Sequence, residues 1–298
     1  EQAARLHFDE ASARLAKRTR DLWMSRLEEH VFPKIGHMLI KDVVSKDIKN
    51  LLLPLADRPE TAHRVRARLN QLFDWAITEG QYQAANPVAA VKQGKHDKAH
   101  KPKHHAALPW TDLPAFMSGV ASRGGATARC LELLILTASR SIEVRGARWD
   151  EFDLEAGLWT VPAERMKGRL DKREPHEVPL SKAAVAVVRS TEGLHPELVF
   201  PSPRGKVLSD MSFKSVFKHM DQNEITAHGF RSTFADWATD NSVCDPELVE
   251  RSLAHRDKNE VRSAYVRSKL LERRQPLMEA YSTFAYGGNW KDAVRSIT

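Results

Sequence analysis

Phe152-Asp-Leu-Glu-Ala-Gly-Leu-Trp-Thr-Val161 is the stretch in which the chain changes period. On either side of it apolar residues recur every three to four positions. Here they fall around Glu155-Ala-Gly157, which predicts two short strands joined by a tight turn. His176-Glu-Val-Pro-Leu180 predicts a third strand, separated from the second by the polar turn Gly168 to Pro175. Helical patterns flank this small sheet. Trp110 to Leu136 reads as two helices split by Ser122-Arg-Gly-Gly125, and further helices are expected at Lys182–Arg189, Ser209–Met220, Thr226–Thr239, Asp245–Leu253 and Asn259–Tyr281. Asp245-Pro246 is an N-cap followed by a proline at the first helical position. The expected fold class is mainly α with a small antiparallel β-sheet.

Upstream of this region the sequence reads as helix alone. Phe8 to about Phe32 carries Leu15, Leu22, Trp23 and Leu27 near helical spacing, ending at Pro33 and Gly36. Ser45 is placed to cap a second helix through Leu53. Pro59 opens a third that Gly80 ends, with Val65, Leu69, Leu72, Phe73 and Ala76 on one face and His63, Arg64, Arg66 and Arg68 largely off it. Between the two regions lies Lys92-Gln-Gly-Lys-His-Asp-Lys-Ala-His-Lys-Pro-Lys-His-His105, with five Lys and four His against one Asp and no apolar period. It reads as an exposed cationic linker: either a solvated hinge or, through Lys92, Lys95, Lys98, Lys101 and Lys103, a tether along a phosphate backbone. The expected organisation is a helical domain with a basic surface over 1–91, a basic linker over 92–107, a mixed domain over 108–285 and a tail over 286–298. Gly287-Gly288 in that tail reads as a hinge and Trp290 as an apolar anchor for a neighbouring protomer.

Composition narrows the function classes. The 298 residues carry 46 Lys and Arg against 39 Asp and Glu, a net charge of +7. The excess sits early, with 19 basic and 13 acidic side chains in 1–106 and 27 and 26 in the remainder. That favours a polyanionic partner. No stretch approaches the roughly 18 to 20 apolar residues that span a bilayer, and the start, Glu1-Gln2-Ala3-Ala4-Arg5, has no secretory apolar core. The expectation is a soluble, cytoplasmic protein with no membrane partner. Cys130 and Cys244 are too few for a disulfide framework and lie outside any zinc-type spacing, so two thiols, no metal and no cofactor are expected.

Three features of the mixed domain are odd for a core. Thr137-Ala-Ser-Arg140-Ser-Ile-Glu143-Val-Arg-Gly-Ala-Arg-Trp149 runs an apolar helix into an arginine with a carboxylate three residues on, where Glu143 could fix the guanidinium. Thr226-Ala-His228-Gly-Phe-Arg231 sets a second pair of donors near a helix start, which favours an anion. Leu253-Ala-His255 is followed ten residues later by Ala264-Tyr265-Val-Arg267. Taken singly these residues are ordinary: arginines in surface ion pairs, a core histidine, a tyrosine packed with its hydroxyl wet. Tyr82, Tyr281 and Tyr286 keep that last reading.

In this order and spacing the set resembles the tyrosine recombinase (phage integrase) family, and within it the integrases of satellite phages and genomic islands. Trp159-Thr-Val-Pro-Ala-Glu-Arg-Met-Lys167, His176-Glu-Val-Pro-Leu-Ser181 and Val199-Phe-Pro-Ser202 are similar to that branch, as are Val31-Phe-Pro-Lys-Ile-Gly36 and Glu60-Thr-Ala62. The likeness runs from about Arg5 to Tyr286. Relatives usually carry a further N-terminal arm-site domain, and the chain reads as beginning after it. Ala138 and Ala254 stand where relatives frequently have glycine.

The resemblance implies Tyr265 as nucleophile, Arg140 and Arg231 as phosphate clamp, Lys167 as general acid with Lys172 the alternative, and His228 and His255 as accessory donors, with Glu143 in support. Chemistry agrees with those types. A phosphodiester under attack gathers charge on its non-bridging oxygens, which two guanidinium forks match. A tyrosine of ordinary pKa about 10 needs a proton acceptor and cationic neighbours. The departing 5′-oxygen needs a proton. The implied partners are double-stranded attachment-site DNA, a homotetramer on that DNA, and excisionase and DNA-bending accessory proteins. Two rival readings use the same residues: a type IB topoisomerase, and a catalytically idle DNA-binding regulator.

Overall fold

The computed structural model describes residues 1–12, 17–91, 106–168, 173–241, 243–255 and 270–294. The chain divides into two compact units after Lys103. The cationic run 92–105 lies outside the described residues, and with it Lys92, Lys95, Lys98, Lys101 and Lys103.

The first unit is built from α1 (Gln2–Ala11), α2 (Lys17–His30), α3 (Phe32–Ile35), α4 (Ser45–Leu52) and α5 (Pro59–Thr78). Within the one helix expected from Phe8 to Phe32, α1 ends at Ala11 with Ser12 as its C-cap and α2 begins at Lys17, while 13–16 lie outside the described residues. On α2 it is Trp23 and Leu27, four apart, that enter the core with Val31, while Leu22 is exposed. At α4 the cap comes from Asp47, whose carboxylate accepts the Val44 N–H at 3.0 Å, and Ser45 lies inside the helix. Helix α5 follows the sequence closely: Pro59 opens it, Val65, Leu69, Leu72, Phe73 and Ala76 are buried, and Gly80 follows its end with φ +68°. These side chains share a core with Trp23, Leu27, Ile48 and Leu51.

The second unit contains α6 (Leu113–Ala121), α7 (Ala126–Thr137), α8 (Ser141–Arg145), β1 (Phe152–Asp153), β2 (Leu158–Val161), β3 (His176–Pro179), α9 (Lys182–Arg189), α10 (Ser212–His219), α11 (Gly229–Asp240), α12 (Pro246–Ser252), α13 (Leu271–Ala285) and α14 (Lys291–Val294). The sheet is antiparallel in the order β1-β2-β3, with Phe152 opposite Trp159, and Val161 opposite His176. Helix α7 is buried nearly all round, as its apolar sequence demands. Its one buried carboxylate, Glu132, pairs with Arg129 at 2.8 Å.

An aromatic group locks α11 to α13. Tyr281 meets Phe234 at 4.8 Å and Trp237 at 5.0 Å between ring centroids, and Trp237 meets Trp290 edge-on at 5.3 Å. Trp290, expected to anchor on a neighbour, thus packs against its own chain. The helix expected over Asn259–Tyr281 cannot run unbroken: Leu270 sits at φ +49°, a left-handed residue that a right-handed helix excludes, and α13 starts after it. The apolar spacing across Leu270-Leu271 gave no sign of that break. Among the described residues no helix is long and apolar enough to cross a membrane, and no group of three or more His, Cys, Asp and Glu is set to hold a metal ion.

Ala138 and Ala254 also sit at φ +49°, where a Cβ costs about 1–2 kcal/mol. Glycine relieves that strain but adds about 0.4–1 kcal/mol of unfolded-chain entropy. Ala254 is half-buried, so Ala254→Gly is expected to stabilise the protein by about 0.5–1 kcal/mol in urea unfolding. Ala138 is fully buried, and losing its methyl costs a further ~0.8 kcal/mol, so Ala138→Gly is expected to be close to neutral.

Candidate active site

The left-handed turn at Ala138 ends α7 and aims two things at once. Its carbonyl faces Arg231, and two residues on the chain re-enters a helix at Arg140, the N-cap of α8 with ψ 143°. Glu143, at the third position of α8, accepts both the Arg140 backbone N–H and Arg140 Nη1, each at 2.9 Å. The i, i+3 pair read from the sequence is real, though Arg140 caps the helix instead of lying within it. Glu143 is 1% exposed, and its charge is answered by the guanidinium it orients.

Arg231 lies in the first turn of α11 and is 5% exposed. Its Nη1 donates to the Ala138 carbonyl at 2.7 Å and its Nη2 to the Leu253 carbonyl at 2.6 Å. Arg140 Nη2 donates to the Ala254 carbonyl at 3.1 Å. The turn after α12 therefore serves both arginines, one carbonyl each. A guanidinium has five N–H groups. Two of Arg140's and two of Arg231's go to these partners, and a third from Arg231 Nη2 reaches His255 Nε2 at 3.0 Å. Both forks keep N–H groups for an anion.

The hydrogen bond to His255 fixes its tautomer. Arginine only donates, so Nε2 accepts, and Nδ1 carries the proton and donates to Glu250 Oε2 at 2.8 Å. His255 itself is exposed. Burial and the charge of Arg140 lower the Arg231 pKa to about 10, against the opposing pull of Glu143 and Glu250. Arg231 stays charged at neutral pH. Two like charges are held here with one carboxylate committed to Arg140, an arrangement that an anion between the forks would relieve.

His228 is the exposed N-cap of α11, and its carbonyl accepts the Arg231 N–H at 3.2 Å. That corner is fixed by Thr226, whose Oγ accepts the Gly229 N–H at 3.0 Å. Gly229 lies tight against Ala106, where a Cβ would come within 2.3 Å of the carbonyl oxygen. Lys167 is exposed and follows the short turn Ala163–Arg165 after β2. Tyr265, Arg267 and Lys172 lie outside the described residues. The structure thus bonds Arg140 to Glu143 and Arg231 to His255, links the two pairs through the carbonyls of Leu253 and Ala254, and sets His228 one turn from Arg231.

The remaining tyrosines are not as the sequence suggested. Tyr82 is buried and donates to the Val43 carbonyl at 2.9 Å, and Tyr286 donates to Glu132 at 3.1 Å. Tyr281 is fully buried with its hydroxyl unpartnered among the described residues, and burial drives its pKa far up. In the first unit, His63 and Arg64 are exposed on α5, Arg64 pairing with Glu60. Arg66 donates to the carbonyls of Val88 and Val91, and Arg68 donates to Gln71 while lying 5.7 Å from the Trp23 ring centre.

Two residues near the Arg140 and Arg231 pair were missed. Arg274, 2% exposed on α13, donates from Nε to Ser252 Oγ at 3.3 Å. His176, at the start of β3, has its pKa pushed down to about 3 by burial first, then by the charges of Arg274, Arg140 and Arg231, which outweigh the Ser252 backbone. His176 lay within a motif that carried no role for it, and Arg274 fell inside the helix expected over Asn259–Tyr281 with no role assigned.

Residues 1–94 match the family model described as the phage integrase central domain, and residues 112–271 that of the phage integrase family. Prophage integrase IntZ of Escherichia coli K12 is 33% identical over 264 residues, covering 87% of this chain and 64% of that protein. The integrase of enterobacteria phage P4 is 30% identical over 281 residues, covering 87% and 63%. The chain thus spans a little under two thirds of the length of these curated relatives. In fold it is similar to a lambda integrase (75–356) dimer bound to a COC′ core site, with a TM-score of 0.66 and 19% identity over 87% of this chain and 95% of that one.

Burial holds His176 neutral in the folded protein, below the ordinary value of about 6.5. Its contribution to stability is present above pH about 6.5 and is lost as pH falls toward about 3. Urea midpoints measured from pH about 7.5 to about 5 are expected to fall more steeply for the wild type than for His176→Gln.

Proposed function

Because the chain belongs to the phage integrase family of tyrosine recombinases, we propose that it is a site-specific DNA recombinase that integrates or excises a prophage or genomic island. The observation that carries this reading is the pair Arg140 and Arg231, anchored on the carbonyls of Ala254, Ala138 and Leu253 with N–H groups left for a phosphate.

In the proposed reaction Tyr265 attacks a backbone phosphorus of attachment-site DNA. The bond from phosphorus to the 5′-oxygen breaks, leaving a 3′-phosphotyrosine and a free 5′-hydroxyl. Arg140 and Arg231 take the non-bridging oxygens, where each preorganised donor is worth about 3 to 4 kcal/mol of barrier. His228 takes the phenolic proton and Lys167 delivers one to the 5′-oxygen. His255, with Nε2 accepting from Arg231 and its Nδ1 proton on Glu250, serves the phosphate by steadying the buried fork. The phosphotyrosine keeps the bond energy for religation, so the step calls for no cofactor. The other tyrosines support Tyr265 as nucleophile by their own engagements, two with hydrogen-bond acceptors and one sealed in the core.

The same reading makes the partners double-stranded DNA, three further copies of the chain on that DNA, and excisionase and DNA-bending proteins, in a bacterial cytoplasm at the nucleoid. His63, Arg64, Arg66, Arg68 and the linker lysines supply phosphate contacts in it. Arg66 contributes least, since its guanidinium is engaged on Val88 and Val91.

Two experiments test the reading. Wild-type protein is expected to trap covalently on a nicked suicide duplex, and Tyr265→Phe to lose the adduct while keeping salt-sensitive binding. A wild type that never forms the adduct favours an idle regulator, and cleavage without strand transfer between two labelled duplexes favours a topoisomerase. Replacing Lys92, Lys95, Lys98, Lys101 and Lys103 by Ala is expected to flatten the slope of log affinity against log salt by up to about 4.5, at roughly 0.9 per phosphate contact.

A further inference from the structure

Lys167 is exposed, and a flexible cation on a turn is a poor proton donor unless something fixes where it stands. Two residues before it, Arg165 closes the turn after β2, with its backbone N–H on the Pro162 carbonyl at 3.0 Å. Its side chain is only 20% exposed, and its guanidinium divides between two partners. Nη1 forms an ion pair with Glu151, and Nη2 donates to the main-chain carbonyl of Glu143. Glu151 is itself shielded, and its other oxygen accepts Trp159 Nε1 at 2.9 Å. Charge-assisted bonds in such surroundings are among the stronger ones a protein makes.

The choice of Glu143 gives this arrangement its meaning. That residue holds Arg140 with its side chain and receives Arg165 with its backbone. One residue thus joins the clamp arginine to the turn that carries the lysine. The neighbouring chain leaves room for the fork: at Gly146 a Cβ would approach Arg165 Nη2 to 3.1 Å.

We propose that Arg165, braced by Glu151, is a positioning residue that sets Lys167 against the leaving 5′-oxygen by tying its turn to the Glu143 carbonyl. The inference rests on the reading of Lys167 as general acid. In that step the bond from phosphorus to the 5′-oxygen breaks as the bond to the Tyr265 oxygen forms, and a proton passes from Lys167 Nζ to the departing oxygen. A residue that acts only by placing this proton becomes dispensable when the leaving atom needs none.

A suicide duplex with sulfur in place of the bridging 5′-oxygen supplies that condition, because a thiol of pKa about 8.5 leaves as thiolate unaided. The test compares single-turnover cleavage of the oxygen and sulfur duplexes by the full chain carrying Arg165→Met, Gly146→Ala or Lys167→Ala. Arg165→Met is expected to slow oxygen cleavage at least about tenfold, and by no more than the roughly 10²–10⁴ attributed to a general acid. On the sulfur duplex it is expected to stay within about threefold of wild type. Gly146→Ala crowds the fork without removing charge and is expected to lower only the oxygen rate, which decides the matter if Arg165→Met does not fold.

Equal slowing on both duplexes, or no slowing on oxygen, overturns the positioning role while Lys167→Ala still shows rescue by sulfur. Absence of that rescue in Lys167→Ala removes the general-acid reading instead, and the role of Arg165 with it.

Discussion

Two guanidinium groups that repel each other are held side by side by main-chain carbonyls, and the second unit is arranged around that act of restraint. Arg231 is almost wholly buried, Arg140 is partly so, and one carboxylate, Glu143, is committed to Arg140. Side-chain counterions could have neutralised the site, but they would also have filled it. Carbonyl oxygens orient a cation without cancelling its charge, so the positive potential survives for a ligand. The carbonyls of Ala138 and Ala254 come from left-handed turns, where the backbone folds back sharply enough to point an oxygen inward. The strain there is of the kind that functional sites hold while the rest of the fold supports it.

The surrounding architecture serves the same restraint. The all-round burial of α7 fixes the level at which Ala138 turns, and the aromatic cluster of Phe234, Trp237 and Tyr281 fixes the rotation of α11, on which Arg231 is carried. The three-stranded sheet brings His176 near Arg140 and Arg231 at one end of β3 and carries the Ala163–Arg165 turn beyond β2. Three more cationic or titratable groups, Arg165, His176 and Arg274, therefore crowd the region. Each is steadied by backbone or buried hydrogen-bonding partners, as polar groups taken out of water must be.

Much of this was legible in the sequence where local physics decides it. The Glu155-Ala-Gly157 turn, the cap at Asp245-Pro246 and the apolar face of α5 came from periodicity and turn chemistry, and the structure has them. The pairing of Arg140 with Glu143 followed from spacing alone. What escaped depends on contacts distant in sequence. Nothing local marks Arg274 as buried beside Ser252, or His176 as the neighbour of three arginines. Left-handed residues other than glycine are equally silent, which is why the break at Leu270 went unseen and why Ala138 and Ala254 looked like harmless departures. The hydroxyls of Tyr82 and Tyr281 were expected in water, but burial of their rings took the polar ends along.

Arg231 ties its own turn to a carbonyl 93 residues earlier and to another 22 residues later. Contacts of such reach form only after long loops have closed, and closure of long loops belongs to the late, slow part of folding. During synthesis, a chain that has grown past residue 231 but has not reached 253 holds a guanidinium with one of its three anchors, the Ala138 carbonyl. The pocket cannot be assembled piecemeal: it arrives with the finished domain, so no nascent fragment carries a working version of it.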